Sequence, residues 1–239
     1  MISCEPVIIN FITYFGTIAA FTIVYFADIP KLPFPVQGCL LEAENSPSST
    51  AVKYLMLALW DFHFLRRTFE VLFVHLYNRR MPLIECVGAP IYYWVLALLI
   101  AQSISGTGFV ITYIPLIVTG VILFLIGEFG NAWCHLQLRF FRTKKQDKSF
   151  VSLETGHIMP HGNIFNYVSC PHYMFEIITW LGFFILTWTL PSALLLLLTI
   201  ITLTVYGRKK HNAYVIEFDG ELDRPLYPNT RKALIPFLF

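Results

Sequence analysis

The sequence predicts an all-α, polytopic membrane protein of about six transmembrane helices enclosing a cofactor and substrate cavity. Three observations carry the membrane assignment. Apolar and aromatic residues make up 56% of the 239-residue chain and charged residues only 13%, against roughly 25% charge in an ordinary soluble domain. The apolar residues, 22 Phe among them, fall in blocks of about 18 to 25, the length a helix needs to cross a ~30 Å hydrocarbon core. The Lys and Arg residues sort to one side of the topology that these blocks imply. A soluble globular fold is excluded.

The spans fall at about 7–27, 53–76, 87–104, 109–133, 164–189 and 191–207. The first lacks a basic start and exceeds the 7–15 residues of a signal-peptide core, so it is expected to remain as an anchor. Pro191 makes the last connection a tight turn. With the N-terminus in the cytosol, 13 of the 17 Lys and Arg residues lie on the cytosolic side, as the positive-inside bias expects. They include Arg79, Arg80, Arg139, Arg142, Lys144, Lys145, Lys148 and the group after the last span; the opposite side has only Lys31 and Lys53. A net charge of +2 gives no reason to expect nucleic acid. The five cysteines are scattered, with no metal-type spacing and no disulfide framework. The whole of 1–239 is read as one integral membrane domain, with its cofactor-binding portion at about 127–239.

Charges at membrane depth cost at least ~2.5–3.5 kcal/mol and mark functional interiors. Span two carries His63, Arg66, Arg67 and Glu70, with both arginines three or four residues from the glutamate and so on one helical face. Glu128, Asn131, His135, Arg139 and Arg142 make a polar stripe at the end of span four. His172, Tyr173 and Glu176 do the same in span five, and His211 and Tyr214 follow the last span. Each has an ordinary reading taken singly. Arg66–Glu70 would be a structural ion pair, Arg139 and Arg142 snorkelling side chains, and the histidines satisfied interior groups. Together, three polar stripes toward one basic side suit a shared cavity for an anionic ligand, such as a dinucleotide phosphate or a coenzyme A thioester. There is no phosphate loop, no G-x-G-x-x-G and no H-E-x-x-H. Ser169 lacks a G-x-S-x-G setting, so serine hydrolase chemistry is not expected.

Several motifs go further. The segment from Asn166 through Cys170-Pro-His-Tyr173 and Glu176 to Trp180 and Gly182, then His211-x-x-Tyr214, Glu217-Phe218 and the ending Arg231-Lys-Ala-Leu-Ile-Pro-Phe-Leu-Phe239 resemble the C-terminal domain of the steroid 5α-reductase superfamily. His63-Phe-Leu-Arg-Arg-Thr-Phe-Glu-Val-Leu-Phe-Val-His75, Met81-Pro82-Leu83, Tyr92-Tyr93-Trp94 and Gly130-Asn131 with His135, Leu138-Arg139 and Arg142 are similar to its very-long-chain trans-2-enoyl-CoA reductase branch. The resemblance covers roughly 60–239 and departs from the branch in places. The branch usually has Asn where His172 stands and Lys where Arg66 stands, and polyprenol reductases can carry His at the former. Steroid reductases carry Tyr at Phe64 and Asp at His135. The ubiquitin-like domain that begins animal and plant members is not expected here.

The resemblance implies NADPH-dependent reduction of the carbon–carbon double bond of a long-chain trans-2-enoyl-CoA in fatty-acid elongation, alongside other elongation enzymes. It implies a multi-pass protein of the endoplasmic reticulum with a cytosolic C-terminus. Tyr173 is the implied proton donor and Arg66 its cationic stabiliser. Asn131, His135, Arg139, Arg142, His172, Glu176, His211, Tyr214 and Arg80 are implied at the cofactor, and Glu5 and Phe64 at the substrate. No metal is implied. Polyprenol or 3-oxo-4-ene steroid reduction is the alternative enzyme reading. A small membrane methyltransferase and a non-catalytic lipid-binding protein are the others.

Overall fold

The computed structural model describes residues 3–27, 47–77, 80–105, 114–143, 148–152, 157–221 and 224–235. The basic residues Lys31, Arg79, Lys144 and Lys145 lie outside them. Six helices account for most of these residues: α1 Pro6–Phe26, α2 Pro47–Phe73, α3 Leu83–Ser105, α4 Ile114–Thr143, α5 Pro171–Thr187 and α6 Leu190–Glu217. Four of them, α1, α3, α4 and α6, are long and apolar enough to cross a membrane. α2 carries Lys53, Asp61, Arg66, Arg67 and Glu70 along its length, and α5 has 17 residues. The protein is an all-α polytopic membrane protein.

Helix boundaries follow local chemistry more closely than hydropathy. α4 continues ten residues beyond the expected span, because 134–143 contains neither Gly nor Pro and helix propensity does not stop where charge begins. α6 likewise runs on to Glu217, and Gly220 takes a positive φ of 83° soon after, where the absence of a side chain is an advantage. α5 starts at Pro171, seven residues later than expected. Proline suits the first helical position and keeps the residue before it out of helical conformation. Between α5 and α6, Thr189 and Ser192 cap reciprocally. The Ser192 hydroxyl accepts from the Thr189 N–H at 3.2 Å, and Thr189 Oγ1 accepts from the Ser192 N–H at 3.4 Å.

The chain forms two compact units, Met1–Phe124 with Trp180–Leu196, and Leu125–Thr179 with Leu197–Phe239. In the first, α1 packs on α2 and α3, and the Trp94 indole N–H donates to the Thr13 carbonyl at 3.0 Å. Its core is aromatic: Phe21 stacks on Trp60 at 4.5 Å, and Trp60 meets Phe64, Trp180 and Phe183 within 6 Å. A short antiparallel ladder pairs β1 (Ser3–Cys4) with β2 (Met81–Pro82), tying the start of the chain to the entry of α3. In this unit α5 approaches α4 so closely that a Cβ on Gly182 would collide with the Phe124 backbone. Small residues allow such backbone approach between membrane helices.

In the second unit the segment 224–235 returns to the entry of α5. The Ser169 N–H donates to the Lys232 carbonyl at 2.8 Å, the Cys170 N–H to the Ala233 carbonyl at 3.2 Å, and the Lys232 N–H to the Tyr167 carbonyl at 2.9 Å. The last part of the chain thus sets the backbone from which α5 begins.

Gly182→Ala should lower the stability of the detergent-solubilised protein by about 1–3 kcal/mol, the usual cost of overpacking. Gly88→Ala, whose Cβ would meet nothing within 4 Å, should leave thermal unfolding nearly unchanged. Equal effects would contradict the close α4–α5 packing.

Candidate active site

In the first unit a buried polar group is built around Glu70. Its carboxylate accepts from Arg66 NH1 at 2.5 Å and from Arg67 NH1 at 2.8 Å, and it is buried. A carboxylate has two oxygens and about four lone-pair sites, so it can hold two guanidinium groups at once. Arg67 NH2 also donates to the Tyr14 hydroxyl at 3.2 Å. Beyond the end of α2, the Tyr77 hydroxyl accepts from Asn10 Nδ2 at 3.1 Å and lies 3.2 Å from His75 Nδ1. The sequence signalled Arg66, Arg67 and Glu70 by their spacing. Tyr14, Asn10 and Tyr77 carried no such signal, because their partners are distant in the chain.

Phe64 is fully buried. Its ring sits among Trp60 at 4.9 Å, Tyr93 at 5.7 Å, and Tyr14 and Trp180 at 6.0 Å. Glu5 and Arg80, expected at substrate and cofactor respectively, form an exposed ion pair with each other at 3.6 Å.

The remaining expected residues belong to the second unit. Asn131 on α4 donates from Nδ2 to the His172 carbonyl at 2.8 Å, fastening α4 to the first turn of α5. This bond occupies the side-chain amide and fixes the backbone of the residue next to Tyr173. The rings of His135 and His172 lie 5.6 Å apart, and His172 and Tyr173 4.2 Å apart. A Cβ on Gly207 would meet the Tyr173 ring at 3.7 Å, so the tyrosine lies alongside α6 where that helix is narrowest. Tyr214 on α6 is within electrostatic reach of Tyr173, Arg142, Cys170 and Tyr227. Lys210 Nζ lies over the Tyr214 ring at 4.7 Å and is near enough to Arg142 for the two cations to repel. Arg139 and Glu176 are half-buried on α4 and α5, and Arg142 is exposed at the end of α4.

Burial pushes the Cys170 thiol up to about 12, so it stays a neutral thiol and is no nucleophile. His211 meets a hydroxyl that the sequence reading did not place in the site: Ser169 Oγ lies 2.7 Å from His211 Nδ1 and 2.6 Å from the Tyr227 hydroxyl. Two cations drawn together from α4 and α6 favour an anionic group. The hydroxyls, amide and imidazoles beside them supply neutral hydrogen-bond partners. That donor set fits a phosphorylated dinucleotide.

Fold and site together define a helical membrane protein with polar and basic side chains set among its apolar helices. The family model for 3-oxo-5-alpha-steroid 4-dehydrogenase matches residues 79–239, and the chain belongs to that family. It is 33% identical over 200 residues to the very-long-chain enoyl-CoA reductase of Dictyostelium discoideum, covering 83% of this chain and 62% of the relative. It is 32% identical to the Caenorhabditis elegans protein named "Probable very-long-chain enoyl-CoA reductase art-1", covering 82% of this chain and 62% of that one. The 3-oxo-5-alpha-steroid 4-dehydrogenase 1 of Mus musculus is 28% identical, with 90% of this chain and 79% of the relative covered. The chain thus spans 62% of the length of the two enoyl-CoA reductases.

Glu70→Ala should destabilise the protein by about 3–5 kcal/mol, because it leaves two guanidinium groups in the interior without their shared carboxylate. Chemical denaturation in detergent measures this. A loss below about 1 kcal/mol would mean that the arginines find equivalent partners.

Proposed function

We propose that the chain is an NADPH-dependent reductase of the carbon–carbon double bond of long-chain trans-2-enoyl-CoA. The observation that carries the reading is the second unit's cluster, in which Tyr173, held beside the Asn131–His172 bond, lies within reach of Tyr214, and Tyr214 in turn lies near Arg142 of α4 and Lys210 of α6. When bound, the reduced nicotinamide supplies a hydride to the β-carbon of the enoyl thioester. Tyr173 holds the proton that the α-carbon must receive. A phenol is a suitable donor, because its ordinary pKa near 10 keeps it protonated at neutral pH. A positive charge stabilises the phenolate left behind, the part assigned to Arg66.

The remaining residues bind and orient. Arg139 and Arg142, with Arg80, are assigned to phosphates, which guanidinium groups meet bidentately. Asn131, His135, His172, Glu176, His211 and Tyr214 are assigned to the rest of the cofactor. The acyl chain is assigned to the aromatic interior of the first unit around Phe64, and Glu5 to the substrate's polar end. Phe64 favours the acyl-CoA reading over a 3-oxo steroid, because a phenyl ring offers no hydroxyl to a steroid ketone. The mouse steroid dehydrogenase, matched over 90% of this chain, keeps steroid or polyprenol reduction as the second reading. Six membrane crossings, a cytosolic C-terminus and residence in the endoplasmic reticulum beside other elongation enzymes complete the proposal. The asymmetry of Lys and Arg supports the orientation.

Tyr173→Phe should lower NADPH oxidation on a long-chain trans-2-enoyl-CoA by about 10²–10⁴-fold, the usual range for loss of a general acid, while NADPH still binds. Turnover by wild type on a steroid or polyprenol but not on the enoyl-CoA would select the second reading. A Tyr173→Phe variant as fast as wild type would remove the tyrosine from its assigned part.

A further inference from the structure

Ser169 stands on the turn entering α5, 4% exposed. Its hydroxyl oxygen has three polar neighbours: His211 Nδ1 at 2.7 Å, the Tyr227 hydroxyl at 2.6 Å and the Lys232 carbonyl at 3.1 Å. A hydroxyl donates one hydrogen bond and accepts two. The carbonyl can only accept, so the Ser169 proton goes to Lys232. Tyr227 and His211 must then both donate to Ser169. No other assignment makes all three contacts hydrogen bonds.

Two further observations fit this direction. Burial holds the Tyr227 phenol above its ordinary value, against the opposing pull of Ser169 and Arg231, so it is a protonated donor. The Ser169 N–H donates to the same Lys232 carbonyl, which holds the main chain that carries the hydroxyl beside that acceptor. His211 is a half-buried ring, and among the described residues Ser169 is its hydrogen-bond partner. With the proton on Nδ1, the neutral ring presents a bare lone pair at Nε2.

We infer that Ser169 and Tyr227 are positioning residues that hold neutral His211 as its Nδ1–H tautomer, so that Nε2 accepts a hydrogen bond from an amide N–H or a hydroxyl of the bound dinucleotide. The inference rests on the reading that His211 lines the cofactor pocket. It divides the labour of recognition by chemistry. A phosphate offers acceptors, and a bare Nε2 would repel it, so phosphate binding falls to the guanidinium groups. His211 reads a donor instead. Removing the Ser169 oxygen frees the ring to place its proton on Nε2, which turns the acceptor into a donor.

The decisive measurement is the nitrogen-15 NMR spectrum of histidine-labelled full-length protein at about pH 8, above the ordinary titration of histidine. The His211 signals are assigned by their loss in His211→Gln. Wild type should show a protonated Nδ1 and an unprotonated Nε2. Ser169→Ala should move the ring toward the Nε2–H form, and Ser169→Thr, which restores the hydroxyl, should return it. An Nε2–H ring in wild type would overturn the inference. In parallel, Ser169→Ala should raise KM for NADPH about tenfold, equivalent to ~1.4 kcal/mol, with kcat little changed and Ser169→Thr restoring KM. An unchanged KM would overturn the positioning role. The spectrum is recorded without cofactor, so failure of wild type to bind NADPH would strike the reading of the pocket and leave the tautomer to be decided by the spectrum.

Discussion

A carboxylate that holds two arginines is the interaction on which the interior of this protein depends. Guanidinium groups remain charged in any environment a protein provides, so Arg66 and Arg67 cannot be accommodated in their part-buried setting by losing a proton. Glu70 makes their presence possible by offering one oxygen to each. The three residues share α2, at spacings of three and four, so the arrangement forms as the helix forms. Arg67 then reaches Tyr14 on α1, and a pairing internal to one helix becomes a link between two. The energetic logic is avoidance of loss more than gain: a buried pair contributes little over an apolar replacement, but losing one partner is expensive.

The second unit solves a different problem with neutral groups. His172 and the proposed proton donor Tyr173 sit at the entry of α5, where a helix start leaves backbone donors without helical partners. The returning segment 224–235 and the Asn131 amide fix that entry from two directions. The backbone around His172 and Tyr173 is therefore set by hydrogen bonds, and the side chains project from a rigid turn. The proposed reduction calls for such positioning, because hydride and proton must reach adjacent carbons with little tolerance in distance.

What was legible in the sequence follows the range of the interactions. Polar stripes on α2 and α4 could be read directly, since helical periodicity puts their members on one face. Hydropathy alone begins the fifth span at 164, because apolar residues precede Pro171, whereas the helix starts at that proline. The ends of α4 and α6 lie ten residues beyond their apolar blocks, because both helices continue through charged residues. The Ser169 junction was not legible at all: its partners stand 42, 58 and 63 residues away, and a serine without a hydrolase motif gives no local signal. Tyr14, 53 residues from Arg67, escaped for the same reason.

The proposed reaction places a hydride and a proton on the two ends of one double bond. It is tested most directly by isotope placement in the product of wild-type enzyme, with trans-2-enoyl-CoA as substrate. NADPH deuterated at the transferred position, used in ordinary water, should label the β-carbon of the saturated acyl-CoA. Unlabelled NADPH in deuterated water should label the α-carbon, and mass spectrometry distinguishes the two. Cofactor deuterium appearing at the α-carbon, or no saturated acyl-CoA under either condition, would contradict the account.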